Sequence, residues 1–384
     1  MIDWLRLPAL ATAHSHAFQR MLRGRAQRAG SAATEDFWSW RAAMYEAVAG
    51  LDPASFERVT RIAYRDLVRL GVRTVGEFHY VHHQADGTPY AERTLLADIA
   101  IRVAKEEGLR IALLRTVYAR AGAGRPAEGA QRRFVDPDVD TVLADVDTLR
   151  TRYAGDPDVR IGVAPHSTRA VPPEWLRELG TYARRHDLPV HAHVAEQQRE
   201  IDESLAETGL RPLEAFAEYG LLSPRFVAVH ATNFAPHEAR LLGAEGGYVC
   251  LCATTERDLG DGLPDISALR AARVRLCTGI DSHVINDPLE ELRAIETHER
   301  LRLRNRVTFR AGAGEPSLAE RLWAEGSTQG AQALGFADAG GELWIPRGHP
   351  ELELVPEELL LDAVVFGGTA RLLEASRLVV GPAD

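Results

Sequence analysis

Lysine is almost missing from this chain: Lys105 stands alone among 45 basic residues in a length of 384, and arginine supplies the rest. The skew reads as a coding bias with a solubility role at most. Cysteine is scarce too. Cys250, Cys252 and Cys277 are the three present, an odd number in a long chain, which excludes a disulfide framework and fits a reducing cytoplasm. No run of about 18 apolar residues occurs, so no transmembrane helix is expected. Residues 1–10 lack the basic start and long apolar run of a signal peptide. Positive charge is not in excess either. The formal net charge of −10 argues against nucleic acid or an anionic membrane as a partner. An acidic small molecule is not excluded, because a few local arginines outweigh a distant negative surface.

What is present is ordinary globular composition, 45% hydrophobic and 26% charged, in a length that holds one barrel of about 250 residues with additions. Short apolar, β-branched runs alternate with longer helical patterns, the signature of a parallel sheet. Eight runs qualify: residues 8–13, 72–78, 110–117, 159–164, 188–193, 226–230, 248–252 and 274–281. Helical patterns fall at 54–70, 90–107, 173–186, 212–219, 236–242 and 288–303, several opening on proline, whose missing N–H costs nothing in a first turn. A Gly-, Ala- and Arg-rich stretch at 120–133 follows the third run as a long excursion suited to a lid. From about residue 342 the texture changes. The apolar run 359–366, the turn glycines Gly367 and Gly368, and the short run 378–380 suggest a few strands outside the barrel. The expected architecture is α/β: a (β/α)8 TIM barrel over residues 1–335, with a reduced β-sandwich remnant at the C-terminus over residues 336–384.

Polar residues collect at the ends of these runs. His14 and His16, Glu77 to His83, His166, His191 to Glu196, His230, Cys252 to Glu256 and Asp281 to His283 all fall at C-terminal strand ends. A barrel gathers those ends around one mouth, where barrel enzymes keep their chemistry. His14 and His16, two apart on a strand, point to the same side and can face one ion. His193 ends the fifth strand, His230 the sixth and Asp281 the eighth. Three neutral imidazoles and one carboxylate suit a divalent first-row ion, zinc foremost, with a position left for water. Cys250 and Cys252 read instead as small buried hydrophobes, and His191 as a buried supporting residue.

The pieces His14-Ser15-His16, His191-Ala192-His193-Val194-Ala195-Glu196, Val229-His230-Ala231 and Asp281-Ser282-His283 resemble the amidohydrolase superfamily in its one-metal form. That resemblance implies that His14, His16, His193 and Asp281 bind the metal, one zinc per chain or another divalent first-row ion. No lysine stands at the fourth strand to bridge two ions, which argues against the two-metal branch. A divalent ion lowers the pKa of a bound water to about 7. Asp281 is placed to take the water's proton, and Glu196, three residues past His193, to protonate a leaving nitrogen as general acid/base. His230 is placed to hold the attacking water and stabilise developing charge.

Longer strings narrow the substrate. Residues 14–20 (HSHAFQR), 37–41 (FWSWR), 77–83 (EFHYVHH), 164–169 (APHSTR) and 254–262 (TTERDLGDG) resemble the formimidoylglutamate deiminases, a match that runs from about residue 8 to about 303. It implies hydrolysis of N-formimidoyl-L-glutamate to N-formyl-L-glutamate and ammonia in histidine degradation. It also implies a substrate site of Gln19, Arg41, Tyr80, His166 and Arg169, and a homodimer. Two carboxylates on such a substrate call for arginine forks, which bind them bidentately. Arg41, in an aromatic helix expected to fold over the mouth, and Arg169, three residues after His166, are the candidates. The alternatives are a one-metal deaminase of a purine or guanidino compound, or a catalytically impaired relative. Met1 lies only thirteen residues before His14, where the family carries a longer N-terminal segment of a β-sandwich. The C-terminal strands are therefore expected to lack partners and to expose their edges. Ala253, Asn233 and Ile280 are smaller departures from the family's pattern, and none removes a proposed ligand.

Overall fold

Apolar runs with no polar alternation can sit only where both faces of a strand are covered, and here they form a parallel sheet wrapped by helices. The computed structural model describes residues 3–27, 37–309, 312 and 314–381. Its strands are β1 (Trp4–Pro8), β2 (Leu10–Ser15), β3 (Val72–His79), β4 (Arg110–Val117), β5 (Val159–Pro165), β6 (Val190–Val194), β7 (Phe226–His230), β8 (Tyr248–Leu251), β9 (Arg275–Thr278), β10 (Glu342–Pro346) and β11 (Arg377–Val379). Strands β2 to β9 hydrogen-bond in chain order as one parallel eight-stranded sheet, a (β/α)8 barrel. Its seam joins β2 to the end of β9. There His16 N donates to Asp281 O at 2.9 Å, Asp281 N to His14 O at 3.1 Å, and Ile280 N to Thr12 Oγ1 at 2.8 Å. Three of the proposed metal ligands thus stitch the barrel shut with their own backbones. Gly279 sits at this seam because a Cβ there would lie 2.7 Å from His14 Cβ and 2.9 Å from Cys252 Sγ.

Two helices matter to the site: α1 (Phe37–Ala49), which lines the cavity at the barrel mouth, and α2 (Pro53–Arg69), which packs against β3 and residues 17–22. Helix α2 starts cleanly: Asp52 accepts from Ser55 N at 2.8 Å, Ser55 Oγ accepts from Asp52 N, and Pro53 occupies the first turn. It buries Phe56, Thr60, Ala63, Tyr64 and Leu67, an apolar stripe at helical spacing. Helix α1 covers the mouth with Phe37, Met44 and Val48 turned inward. Its C-terminal carbonyls are held by the fully buried Arg133, whose guanidinium donates to Val48 O at 2.5 Å, Leu51 O at 2.6 Å and His83 O at 3.1 Å. Arg133 belongs to the 120–133 excursion, which is therefore fastened to α1 at its C-terminal end.

The second sheet corrects two expectations. Strand β10 lies between β1 and β11, antiparallel to both, so residues 4–8 of the segment assigned to the barrel belong to this sheet and give β10 a partner. The run 359–366, taken as a strand, is helical: Leu360–Gly367 buries Leu360, Val364 and Val365. A short run that is apolar but for Asp362 does not distinguish strand from helix by periodicity. Here the neighbouring helices Pro288–Leu303 and Leu318–Glu325 offer a helical packing surface. The three cysteines are buried and free, and His191 is buried with Nε2 3.3 Å from Ala333 O. Among the described residues no helix is long and apolar enough to cross a membrane.

Candidate active site

Strand ends supply the floor of the mouth. His14 and His16 leave β2 on one side, with their Nε2 atoms 3.2 Å apart, and each Nε2 lies 3.4 Å from Asp281 Oδ1. One nitrogen of His193 joins them, all three imidazoles offering atoms within 4.8 Å of one another. The other ring nitrogens of His16 and His193 are committed, while His14 Nδ1 is buried without a hydrogen-bond partner. His16 Nδ1 donates to Phe78 O at 2.9 Å and His193 Nδ1 donates to His166 O at 3.1 Å, which leaves each Nε2 as a lone pair aimed at the common centre. Burial holds His14, His16 and His193 neutral, with His16 lowered to about 3. Burial alone would raise Asp281, but the imidazoles of His14, His16 and His230 outweigh it and hold the carboxyl below the usual range. Buried lone pairs facing one another with no proton between them are costly unless a cation sits among them. This donor set, three imidazoles and one carboxylate, fits a divalent ion.

The backbone is bent to make it. Ala195, His230, Ala231, Asp281 and His283 all have positive φ, between 52° and 71°. Non-glycine residues in that region carry strain, and such strain collects at functional sites.

His230 stands between carboxylates. Its Nε2 is 3.7 Å from Glu196 Oε1 and 3.9 Å from Asp281 Oδ2, and its Nδ1 is 3.2 Å from Glu256 Oε1. Burial would lower its pKa, but Glu196, Glu256 and Asp281 outweigh it and raise the imidazole to about 10. Glu196 is pushed up, mainly by burial, against the pull of His230. Glu256 also accepts from Cys252 N at 2.9 Å, so it ties His230 to the end of β8. Glu256 lies inside a quoted motif and at a strand end, yet sequence reasoning gave it no role. The same holds for Glu77, which accepts from Ser15 Oγ at 2.8 Å and Ala17 N at 3.0 Å and so fixes the turn that presents His14 and His16.

Above the floor is a cavity of about 500 Å³. All five substrate-site candidates, Gln19, Arg41, Tyr80, His166 and Arg169, line it together with His16, His193, Glu196, His230 and Asp281. His14 lies beneath, fully buried. Gln19 Nε2 donates to Tyr80 OH at 2.8 Å, leaving the phenol proton to point elsewhere, while Gln19 Oε1 has no partner. Arg41 donates from Nη2 to Tyr118 OH at 3.1 Å and from Nε to Tyr45 OH. The guanidinium carbons of Arg41 and Arg169 lie 5.4 and 5.5 Å from the Trp38 ring centroid. Cation–π contacts of about 0.5–2 kcal/mol hold such groups without neutralising them. Among the described residues neither arginine forms an ion pair, and Arg169 Nε is buried without a hydrogen-bond partner. Tyr45 and Tyr118, which steer Arg41, left no signal in the sequence beyond being aromatic.

A parallel barrel whose mouth offers three imidazoles, a carboxylate and a buried acid/base pair describes a class of hydrolase. The chain belongs to the Amidohydrolase family, whose model matches residues 5–343, and is a hydrolase acting on C–N bonds. It is 38% identical over 332 residues to the formimidoylglutamate deiminase of Pseudomonas aeruginosa, covering 86% of this chain and 72% of that one. It is 30% identical over 337 residues to 8-oxoguanine deaminase of the same organism, covering 87% and 71%. Among solved structures, an amidohydrolase from Brucella melitensis superposes with a TM-score of 0.87 at 32% identity, covering 97% of this chain and 82% of that one.

Proposed function

We propose that this protein hydrolyses N-formimidoyl-L-glutamate to N-formyl-L-glutamate and ammonia. The observation that carries the proposal is the pair Arg41 and Arg169, two guanidinium groups on one cavity wall with no carboxylate partner among the described residues. Arg169 is buried and Arg41 partly buried, and neither is in an ion pair among the described residues, although Arg169 acts through space on Glu196 and Glu200. Such guanidinium groups favour a ligand that brings carboxylates, of which a glutamyl group has two. Gln19, Tyr80 and His166 add hydrogen-bonding groups along the same wall. The relationship to the Pseudomonas aeruginosa deiminase supports the same substrate.

His14, His16, His193 and Asp281 would hold one zinc ion, which when bound supplies Lewis-acid activation of water. The remaining steps belong to the chain. Asp281 accepts a proton from the attacking water. Glu196, whose carboxyl is pushed up by burial, delivers a proton to the departing nitrogen. His230 Nε2, between Glu196 and Asp281, stabilises the charge that develops at the attacked carbon's oxygen. Glu256 holds His230 in that orientation through Nδ1.

The aromatic wall, with Phe37, Trp40 and Phe134 in the cavity, favours one second reading, deamination of a planar base such as the one acted on by the 30% identical relative. Ammonia release from N-formimidoyl-L-glutamate by the zinc-loaded protein, with Glu196→Gln as control, tests the proposal. Turnover that the control loses is expected. No turnover from protein carrying one zinc per chain contradicts it.

A further inference from the structure

Asp261 has no part in the scheme above, yet the chain is shaped to bring it there. It follows the helix Ala253–Leu259 between Gly260 (φ 69°) and Gly262 (φ 112°), two left-handed positions that turn the loop back toward the strand ends. Asp261 N donates to Glu256 O at 3.0 Å, and Gln197 Nε2 donates to Asp261 Oδ1. Its other oxygen, Oδ2, is buried without a hydrogen-bond partner. Glu196, His230 and Asp261 each place one polar atom within 4.8 Å of the others. Among the described residues no lysine or arginine pairs with Asp261 within ion-pair distance. The titratable groups facing it are Glu196, His230, Glu256 and Asp281.

Two carboxylates this close in a buried site cannot both stay ionised at low cost, and sharing one proton relieves the repulsion. We propose that Asp261 and Glu196 form a carboxylate pair holding one proton, and that Asp261 is the relay through which Glu196 exchanges protons with solvent. Glu196 is buried and Asp261 half-buried, so Asp261 is the member nearer water. Burial and the neighbouring Glu196 push the Asp261 carboxyl up to about 9, which agrees with a stored proton at neutral pH.

The inference rests on Glu196 as the acid/base of the proposed reaction, and the protons balance. A formimidoyl group that enters as an amidinium and reacts with water gives a formamide, neutral ammonia and one proton. The water taken up gives two protons: Glu196 passes its own proton to the departing nitrogen and regains one as the formyl C=O forms, and the proton first accepted by Asp281 passes on to the pair. With the pair then doubly protonated, Asp261 loses its own proton to solvent and the pair returns to one. No oxidation or reduction is involved.

The test compares Asp261→Ala and Asp261→Asn with the zinc-loaded full-length protein. Each variant is expected to retain one zinc and a KM within about twofold, while kcat falls at least about tenfold. In Asp261→Ala, formate or acetate should restore kcat in a saturable way and leave the unmodified protein unaffected. A residue that only supports the fold would not respond to added acids. Independently of turnover, difference infrared spectra of metal-free protein at neutral pH should show a protonated-carboxyl stretch that Asp261→Asn removes. Unchanged kcat, a loss that no added acid restores, or absence of that band overturns the relay. If the unmodified protein releases no ammonia, the substrate assignment fails, while the infrared band still decides the carboxylate pair.

Discussion

At the floor of the cavity most polar side chains are mounted at strand ends and held by a neighbour; at the wall, two guanidinium groups ride on a helix and a loop and form no ion pair among the described residues. His16 and His193 are pinned through Nδ1 to backbone carbonyls, and His230 is pinned by Glu256. Arg41 sits on α1, and Arg169 lies past the end of β5 with its Nε unsatisfied. The floor is preorganised without substrate, at the expense of five left-handed residues. On the proposed function, a dianionic substrate would pair with the two guanidinium groups of the wall. The contrast separates chemistry, common to many C–N hydrolases, from the choice of what is hydrolysed.

The floor should break first and hardest. Stripping the metal with a chelator should abolish turnover, and zinc should restore it. Glu196→Gln should lower kcat about 10²- to 10⁴-fold, the range for losing a positioned acid/base, with zinc content unchanged by elemental analysis. At the wall, Arg169→Met should cost about 2–4 kcal/mol in kcat/KM, roughly 30- to 1000-fold, because a desolvated charge–charge contact is lost. Most of that loss should sit in KM, whereas Glu196→Gln acts on kcat.

The support of the wall comes next. Arg133→Met removes a buried cation from the carbonyls of Val48, Leu51 and His83. We expect a stability loss of about 2–4 kcal/mol in urea unfolding, with KM raised as α1 loosens and zinc binding retained. Tyr118→Phe deletes one hydrogen bond to Arg41 and should raise KM only about two- to tenfold, equivalent to roughly 0.5–1.5 kcal/mol. If Arg169→Met and Glu196→Gln gave the same pattern of kcat and KM, the division between floor and wall would be wrong.

The floor was the more legible region in the sequence, for a physical reason. A parallel strand buried on both faces must be an apolar run, and its polar end then stands out; residues 72–78, 110–117 and 226–230 appear almost unchanged as β3, β4 and β7. His14, His16, His193 and Asp281 follow from that rule and converge, the three imidazoles offering atoms within 4.8 Å of one another and Asp281 lying 3.4 Å from two of them. The wall was found mainly through longer strings, since an arginine on a helix has no pattern of its own. Glu256 and Asp261 lie in the string 254–262, but their contacts, like those of Tyr45 and Tyr118, form only after the loops fold, so the sequence assigned them no role. The helix Leu360–Gly367 was misread because a short run that is apolar but for Asp362 carries no clear period. Strand β1 was missed: the first run was read as 8–13, which takes in only its last residue, and only Ala9 separates it from β2.

The most direct measurement is kcat/KM of the zinc-loaded protein for N-formimidoyl-L-glutamate and for 8-oxoguanine, side by side, in the unmodified chain and in Arg169→Met. The account predicts strong preference for the dianion and a fall in that preference when Arg169 is lost. Faster hydrolysis of the purine, unaffected by Arg169→Met, would contradict it.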